Sequence, residues 1–414
     1  MPGLITERNF PTSWTIKRFK YCAQICNGGE YSDIEVEEGG YPVIGSGGEF
    51  ARASKFSYCG KSVLLGRKGT VDKPLFVDGA FWCVDTMFYT KIKDFMYEKY
   101  LYYCALCFPF DYYVTSTALP SMTQRDLGSQ EIAVPPKKDQ KAIADFLDKE
   151  CAQIDSIAAD LEKQIALLQQ YKKSLITEIV TKGLDKSVPM KDSGVEWLGK
   201  IPAHWNFKRL KFMLENSSDS MKVGPFGSAL SGSDFTDEGK WVYNQRVVLD
   251  NNFSENATFV SEEKFQEMRS FAVYPGDILI TTRGTIGKVA IVPEGANEGI
   301  LHPCIIKFRV DKEMIIPELL QLIFNESDFV KDQFTLMSNA TTIEVIYSYS
   351  LKDILLPVIP ADEQEKIYAY LSKKCIAIDG IIAEKQKALA TITQHKKSLI
   401  YEYVTGKKRV KEVQ

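Results

Sequence analysis

Gln140–Thr181 reads QKAIADFLDKECAQIDSIAADLEKQIALLQQYKKSLITEIVT, and its periodicity decides how the rest of the chain is read. Leu147, Cys151, Ile154, Ala158, Leu161, Ile165, Leu168, Leu175 and Ile179 recur at alternating spacings of four and three, and Lys172 is the one polar residue in that register. Such alternation keeps a single apolar seam aligned along a slightly under-wound helix, which predicts a coiled coil. Neither Pro nor Gly interrupts the stretch from Lys138 to Lys182. At 1.5 Å per residue it makes a rod on the order of 65 Å long, and a rod with one apolar seam needs a partner.

The chain supplies that partner. Gln364–Thr405 reads QEKIYAYLSKKCIAIDGIIAEKQKALATITQHKKSLIYEYVT, and nearly half its positions match the first stretch at a shift of 224. The seam recurs as Leu371, Cys375, Ile378, Ile382, Leu389, Ile392 and Leu399, broken at Lys385 and Lys396. A period close to half the chain is too long for a solenoid and predicts two related halves. The segments before the helices repeat as well. Pro11–Lys20 lies over Pro202–Lys211 at a shift of 191, and Ser62–Lys73 over Asp277–Lys288 at a shift of 215. The growing shift places extra length in the second copy.

Both segments are strand-rich. Ser62–Leu65 reads as a strand, and LFVDGAFWCVDTMFYT (75–90) as two more around a glycine turn; Phe95–Phe108 reads as a helix. In the second copy KWVYNQRVVL (240–249), DILITT (277–282), KVAIV (288–292) and CIIKFRV (304–310) read as strands, and Glu318–Phe334 as a helix with Pro317 in its first turn. The predicted class is therefore α+β, two strand-rich domains separated by two long helices. The expected division is 1–136 first domain, 137–183 first helix, 184–204 linker, 205–360 second domain, 361–406 second helix and 407–414 basic tail.

A length of 414 residues suits two or three domains, and a net charge of −3 supplies no global field toward nucleic acid, so any such surface is local. Nine scattered cysteines, two of them on the seams, argue for a reducing cytoplasm rather than a disulfide framework. The N-terminus lacks an apolar signal core, and the longest apolar run is too short to span a bilayer.

No motif carries catalysis. Gly45-Ser46-Gly47-Gly48 is followed by further strand rather than the helix a cofactor loop needs, so it reads as a turn, with a backbone approach to phosphate through Ser46 and Gly47 left open. Gly60-Lys61-Ser62 and Gly287-Lys288 lack the first glycine of a P-loop. Cys104 and Cys107 form a lone CxxC within an apolar pattern and read as core; the three histidines have no ligand spacing. The basic residues carry more. Between Arg52 and Lys73 stand six Lys or Arg against one acidic residue, Asp72, with Phe56 and Tyr58 interleaved. A solvated face explains such a cluster, but the same basic-Gly-Thr-apolar-x-Lys turn recurs in the second half, where backbone N–H, hydroxyl and guanidinium groups could face phosphates and base edges. The candidate contacts are Ser46, Gly47, Arg67, Lys68, Thr70 and Lys73, then Phe226, Ser228, Arg283, Thr285 and Lys288. The first long helix, with eight basic and eight acidic residues between Lys137 and Lys182, reads as spacer and partner surface.

This order of parts resembles the specificity subunits of type I restriction–modification enzymes. The resemblance spans essentially the whole chain and rests on Met190–Trp205, Tyr41–Gly48, Ser62–Thr70, Pro275–Ile280 with Arg283–Gly287, and the helix openings at Gln140 and Glu363-Gln364. Pro135-Pro136-Lys137-Lys138-Asp139 departs from the family's usual helix entry. The resemblance implies a non-catalytic chain. Each domain would be a target recognition domain reading one half of a split sequence in double-stranded DNA. The helices would pair antiparallel, set the half-site spacing and dock two methyltransferase subunits, which hold S-adenosylmethionine and methylate adenine. Two restriction subunits would add cleavage driven by ATP and Mg. Two domains differing in sequence should read different half-sites, making the target non-palindromic, and half-sites one helical turn apart lie roughly 34–36 Å from centre to centre. The rival readings are an adaptor whose domains bind protein and a stand-alone DNA-modifying enzyme; the lack of a catalytic motif speaks against the second.

Overall fold

The computed structural model of the protein describes residues 13–113, 120–226, 229–255, 258–338 and 345–410. They fall into two units. One comprises residues up to 163 together with those from 385 onward; the other comprises 164–384.

The first unit opens with β1 (Thr15–Arg18), α1 (Phe19–Cys22) and β2 (Ala23–Asn27). A run of strands follows: β3 (Tyr41–Gly45), β4 (Gly48–Ala53), β5 (Tyr58–Cys59), β6 (Ser62–Gly66), β7 (Leu75–Val77), β8 (Ala80–Cys83) and β9 (Met87–Ile92). Then come α2 (Glu98–Leu106), α3 (Phe110–Tyr113), α4 (Gln124–Ser129), β10 (Glu131–Val134) and the start of α5 (Lys137–Lys182). The 75–90 stretch thus yields three strands where two were expected, because Val84–Thr86 makes a second turn. Two four-stranded sheets result, in the orders β2-β9-β6-β7 and β4-β3-β8-β5, while β1 pairs β10. Only the β3–β8 pairing within these sheets is parallel. The fully buried Ser62 and Thr90 link β6 to β9 by side-chain hydrogen bonds, Val63 N donating to Thr90 Oγ1 at 2.9 Å.

The second unit takes the rest of α5 and then a small hairpin, β11 (Met190–Asp192) with β12 (Lys200–Pro202). Its strands are β13 (Asn206–Arg209), β14 (Met221–Val223), β15 (Phe235–Thr236), β16 (Lys240–Tyr243), β17 (Thr258–Val260), β18 (Ala272–Val273), β19 (Ile278–Thr281), β20 (Val289–Ile291), β21 (Gly299–Leu301), β22 (Ile305–Phe308) and β23 (Leu355–Val358). Its helices are α6 (Gln245–Leu249), α7 (Glu262–Glu267), α8 (Pro317–Glu326), α9 (Phe329–Ser338), α10 (Ser348–Lys352) and α11 (Ala361–Val404), whose final part belongs to the first unit.

The order β14-β22-β19-β20 reproduces β2-β9-β6-β7, and the five-stranded β15-β17-β16-β21-β18 reproduces β4-β3-β8-β5 with β15 added at its edge; β16–β21 is again parallel and β13 pairs with β23. The added length includes α6 and α7, which interrupt the β16–β17 and β17–β18 connections. The strand expected over 240–249 therefore stops at Tyr243. Asn244 Oδ1 accepts from Arg246 N (2.9 Å) and Val247 N (3.2 Å), an N-cap that starts α6 and buries Val247 and Val248. The helix expected over 318–334 is two helices, broken at Ser327, whose backbone is extended. Where the first unit joins its central strands through Ser62 and Thr90, the second buries Lys307 with Asp277, at 3.5 Å, and Arg309 meets the same carboxylate.

Each long helix begins in the same way. Gln140 is fully buried; its Oε1 accepts from Tyr97 N at the start of α2 (2.7 Å), and its amide donates to Phe95 O and Pro135 O (3.2 and 2.8 Å). Gln364 repeats this with Ile316 N at the start of α8 (2.9 Å), Met314 O and Ile359 O (3.0 and 2.8 Å). One side chain thus satisfies three backbone groups that burial would otherwise leave unpaired. The core of the first unit joins Trp14, Phe19, Leu65 and Tyr100 to Leu147, Cys151 and Ile154 of α5 and Leu399, Ile400 and Val404 of α11. That of the second joins Trp205, Ile280 and Leu319 to Ile176, Val180, Leu371 and Cys375.

Candidate nucleic-acid interface

The two recurring turns leave the same strand of equivalent sheets. In the first, Gly66 must be glycine because an added Cβ would meet Thr70 O at 2.4 Å, and Gly69 adopts φ +79°. Arg67 N and Lys68 N donate to Thr86 O (2.9 and 3.2 Å), Gly69 N to Pro120 O (2.9 Å), and Met122 N to Arg67 O (3.0 Å). The Arg67 guanidinium is half-buried, donating to Asp85 O at 3.1 Å; Lys68 and Lys73 are exposed and Thr70 half-buried. Ser46, half-buried, and the exposed Gly47 form the two-residue tip of the β3–β4 hairpin. Tip and turn flank the β8–β9 connection, since Val84 N donates to Ile44 O (3.3 Å) just before Thr86 receives the Arg67 turn.

The second turn follows β19. Thr281 N donates to Lys288 O (2.9 Å), Gly287 N to Thr281 O (2.9 Å), and Ile346 N to Thr282 O (2.9 Å), the counterpart of the Met122 bond. Gly284 and Gly287 both have positive φ. Arg283 and Thr285 are exposed. Lys288 is half-buried; its Nζ donates to Asn325 O at the end of α8 (2.5 Å), and desolvation pulls its pKa below the usual lysine value. Here the repeat diverges, for Lys73 is exposed and Lys288 caps a helix. Phe226 is 81% exposed after β14, and Ser228 lies outside the described residues.

Two features of this neighbourhood had no signal in the sequence. Tyr347 and Tyr349 stack with centroids 5.4 Å apart, both exposed, immediately after the segment bonded to Thr282. Gln245, inside the stretch read as a strand, reaches the Arg283 turn from α6, donating to Arg283 O at 2.8 Å. Cys104 lies in the apolar core with its thiol held well above the ordinary range by burial, and burial pushes Cys107 up to about 12. Among the described residues no group of His, Cys, Asp and Glu could hold a metal, and no helix is long and apolar enough to cross a membrane.

Along the seam, Leu147, Cys151, Ile154, Leu371, Cys375, Ile378 and Ile382 are buried, whereas Leu161, Ile165, Leu168, Leu389 and Ile392 are half-buried. The polar breaks carry ion pairs. Lys172 Nζ lies 2.8 Å from Asp379 of the partner helix and 2.6 Å from Glu326, and Lys396 Nζ lies 2.6 Å from Asp155.

A model of the type I restriction modification DNA specificity domain matches this chain twice, over residues 11–167 and 222–391, each match containing one turn. The MjaVIII specificity subunit of Methanocaldococcus jannaschii is 25% identical over 302 residues, 72% of this chain and 66% of its own length. The EcoBI specificity subunit of Escherichia coli is 23% identical over 351 residues, 80% of this chain and 72% of its own. A chain in a solved structure concerning assembly and conformational transition of the type I R-M system superposes with a TM-score of 0.67, over 97% of this chain and all of its own, at 14% identity; that likeness is one of fold. With two matched segments covering most of its length, the chain belongs to the family of type I restriction–modification specificity subunits.

Proposed function

We propose that this chain reads DNA for a type I restriction–modification complex. Each strand-rich domain reads one half of a split, non-palindromic target, and the paired helices set the spacing and dock two methyltransferase subunits. The chain supplies no catalysis; S-adenosylmethionine belongs to the methyltransferases, and ATP and Mg to restriction subunits. The single observation that carries the reading is the recurrence of one basic turn after the same strand of matching four-stranded sheets in two domains, with different side chains around it. A shared backbone device with differing surroundings suits two readers of one ligand class and two sequences. The half-exposed helix faces, among them Tyr171 and Ile376, suit protein partners.

The test is binding to duplex DNA by the chain with its methyltransferase partners. Ala at Lys68 should weaken all sequences alike and lower the salt slope by about one unit, as loss of one phosphate contact does. Ala at Arg67 or Arg283 should relax one base position, at a cost of ~1–3 kcal/mol. Mapping methylated adenines in cells identifies the target. If the triple variant keeps affinity, salt slope and discrimination, the turns are structural only.

A further inference from the structure

We propose that Gln245 is a positioning residue for sequence reading by the second domain, its side-chain amide aiming Arg283. This rests on the reading of Arg283 as a DNA contact. The edges of the Arg283 turn are fixed by backbone bonds at Thr281, Thr282 and Lys288. Arg283 also pairs with Val345 in an isolated antiparallel bridge, and the tip carries a side-chain clamp besides. There Gly284 takes φ +64°, and Gln245 Nε2 donates to the carbonyls on either side, Arg283 O at 2.8 Å and Thr285 O at 3.5 Å. Gln245 is itself fixed, as the first residue of a helix capped by Asn244 and anchored by the buried Val247 and Val248.

The guanidinium beyond this clamp is exposed, and among the described residues it has no side-chain partner. A two-pronged contact to a base edge needs the fork held in one direction before contact, which a clamped backbone provides and a glycine tip alone does not. The first domain lacks the device. Its β3–β4 connection is the two-residue tip Ser46-Gly47, with no helix in it, and the residue equivalent to Arg283 is the exposed Lys68, bridged to Ser121 as Arg283 is to Val345. One inserted helix thus gives the second domain a side-chain clamp behind its arginine, at the position where the first domain carries Lys68.

The experiment uses the complex with its methyltransferase subunits and duplexes carrying the mapped target, with each base pair of the second half-site changed in turn. Q245M keeps side-chain length but removes the donor; Q245E keeps shape and polarity but sets a carboxylate against two carbonyls, and decides the matter should Q245M melt at a lower temperature. Both should lower discrimination at one second-half position by about fivefold or more. The salt slope and the first half-site should be unaffected. In an R283A background neither should lower discrimination further, because Gln245 acts only through Arg283. Full discrimination in both Gln245 variants, with R283A impaired, overturns the proposal, as does a loss that adds to that of R283A. An unimpaired R283A would remove the DNA reading of this turn and the inference with it, a result distinct from either.

Discussion

At the scale of single residues, the informative positions are polar groups in apolar places. Lys172 and Lys396 interrupt the seam as breaks in its periodicity, yet each meets an aspartate of the opposite helix. Burial alone would pull the Lys172 pKa down, but the carboxylates of Asp379 and Glu326 outweigh it, and the folded value is raised. A lysine raised on folding contributes stability in full below its unfolded pKa of about 10.4, and that contribution fades as pH climbs through the folded value. Wild type should therefore lose more stability than K172M in denaturant melts taken upward from about pH 10. D379A should cost about 1–2 kcal/mol, whereas K172M should be nearly neutral, since an apolar side chain suits the seam and the abandoned carboxylates remain partly solvated. The two buried glutamines matter more. Q140L or Q364L leaves three backbone groups without a partner and should destabilise by about 2–4 kcal/mol, with lost amide protection at Tyr97 or Ile316 in hydrogen exchange. None of these roles was legible in the sequence. Lys172 and Asp379 are separated by 207 positions, and a glutamine that opens a helix looks like any exposed helix former.

At the scale of elements, what could be read followed the range of the interaction that decides it. The long helices announce themselves because a seam repeats within seven residues, and β19 and β22 because all their residues are buried. The stretch 240–249 misled because Val242, Val247 and Val248 suit a strand, while the N-cap bonds of Asn244 turn the chain into a helix. The turns were legible as a repeat, but the inward course of Lys288 was not, because α8, which receives it, is remote in sequence. Seam depth also has a consequence. Leu147 is wholly buried in a domain core, whereas Leu161 is half-buried in the seam. L147A should cost about 2–5 kcal/mol and L161A roughly 1 kcal/mol, measured by urea denaturation. Equal costs would mean that the seam alone, without the domain cores, holds the helices.

At the scale of the whole molecule, duplication is the organising fact, and its trace survives in the shift that grows from 191 to 224 as insertions such as α6 and α7 accumulate. If the helices act as a ruler, deleting one heptad from α5 alone must break either the Lys172–Asp379 or the Lys396–Asp155 pair and weaken the fold. Deleting facing heptads from both keeps the pairs and shortens the rod by about 10 Å, roughly three base pairs. Methylation mapping should then find both half-sites kept and the spacer changed; an unchanged spacer with full activity would assign the spacing to the linkers. The division of the chain also governs its birth on the ribosome. The first domain needs Leu399, Ile400 and Val404, and Tyr100 Oη donates to Val404 O at 3.1 Å, yet residues 164–384 are synthesised in between. The first domain made is therefore the second to be completed. A nascent chain that stalls before residue 385 lacks Leu399, Ile400 and Val404 and leaves the apolar core of its first domain unfinished.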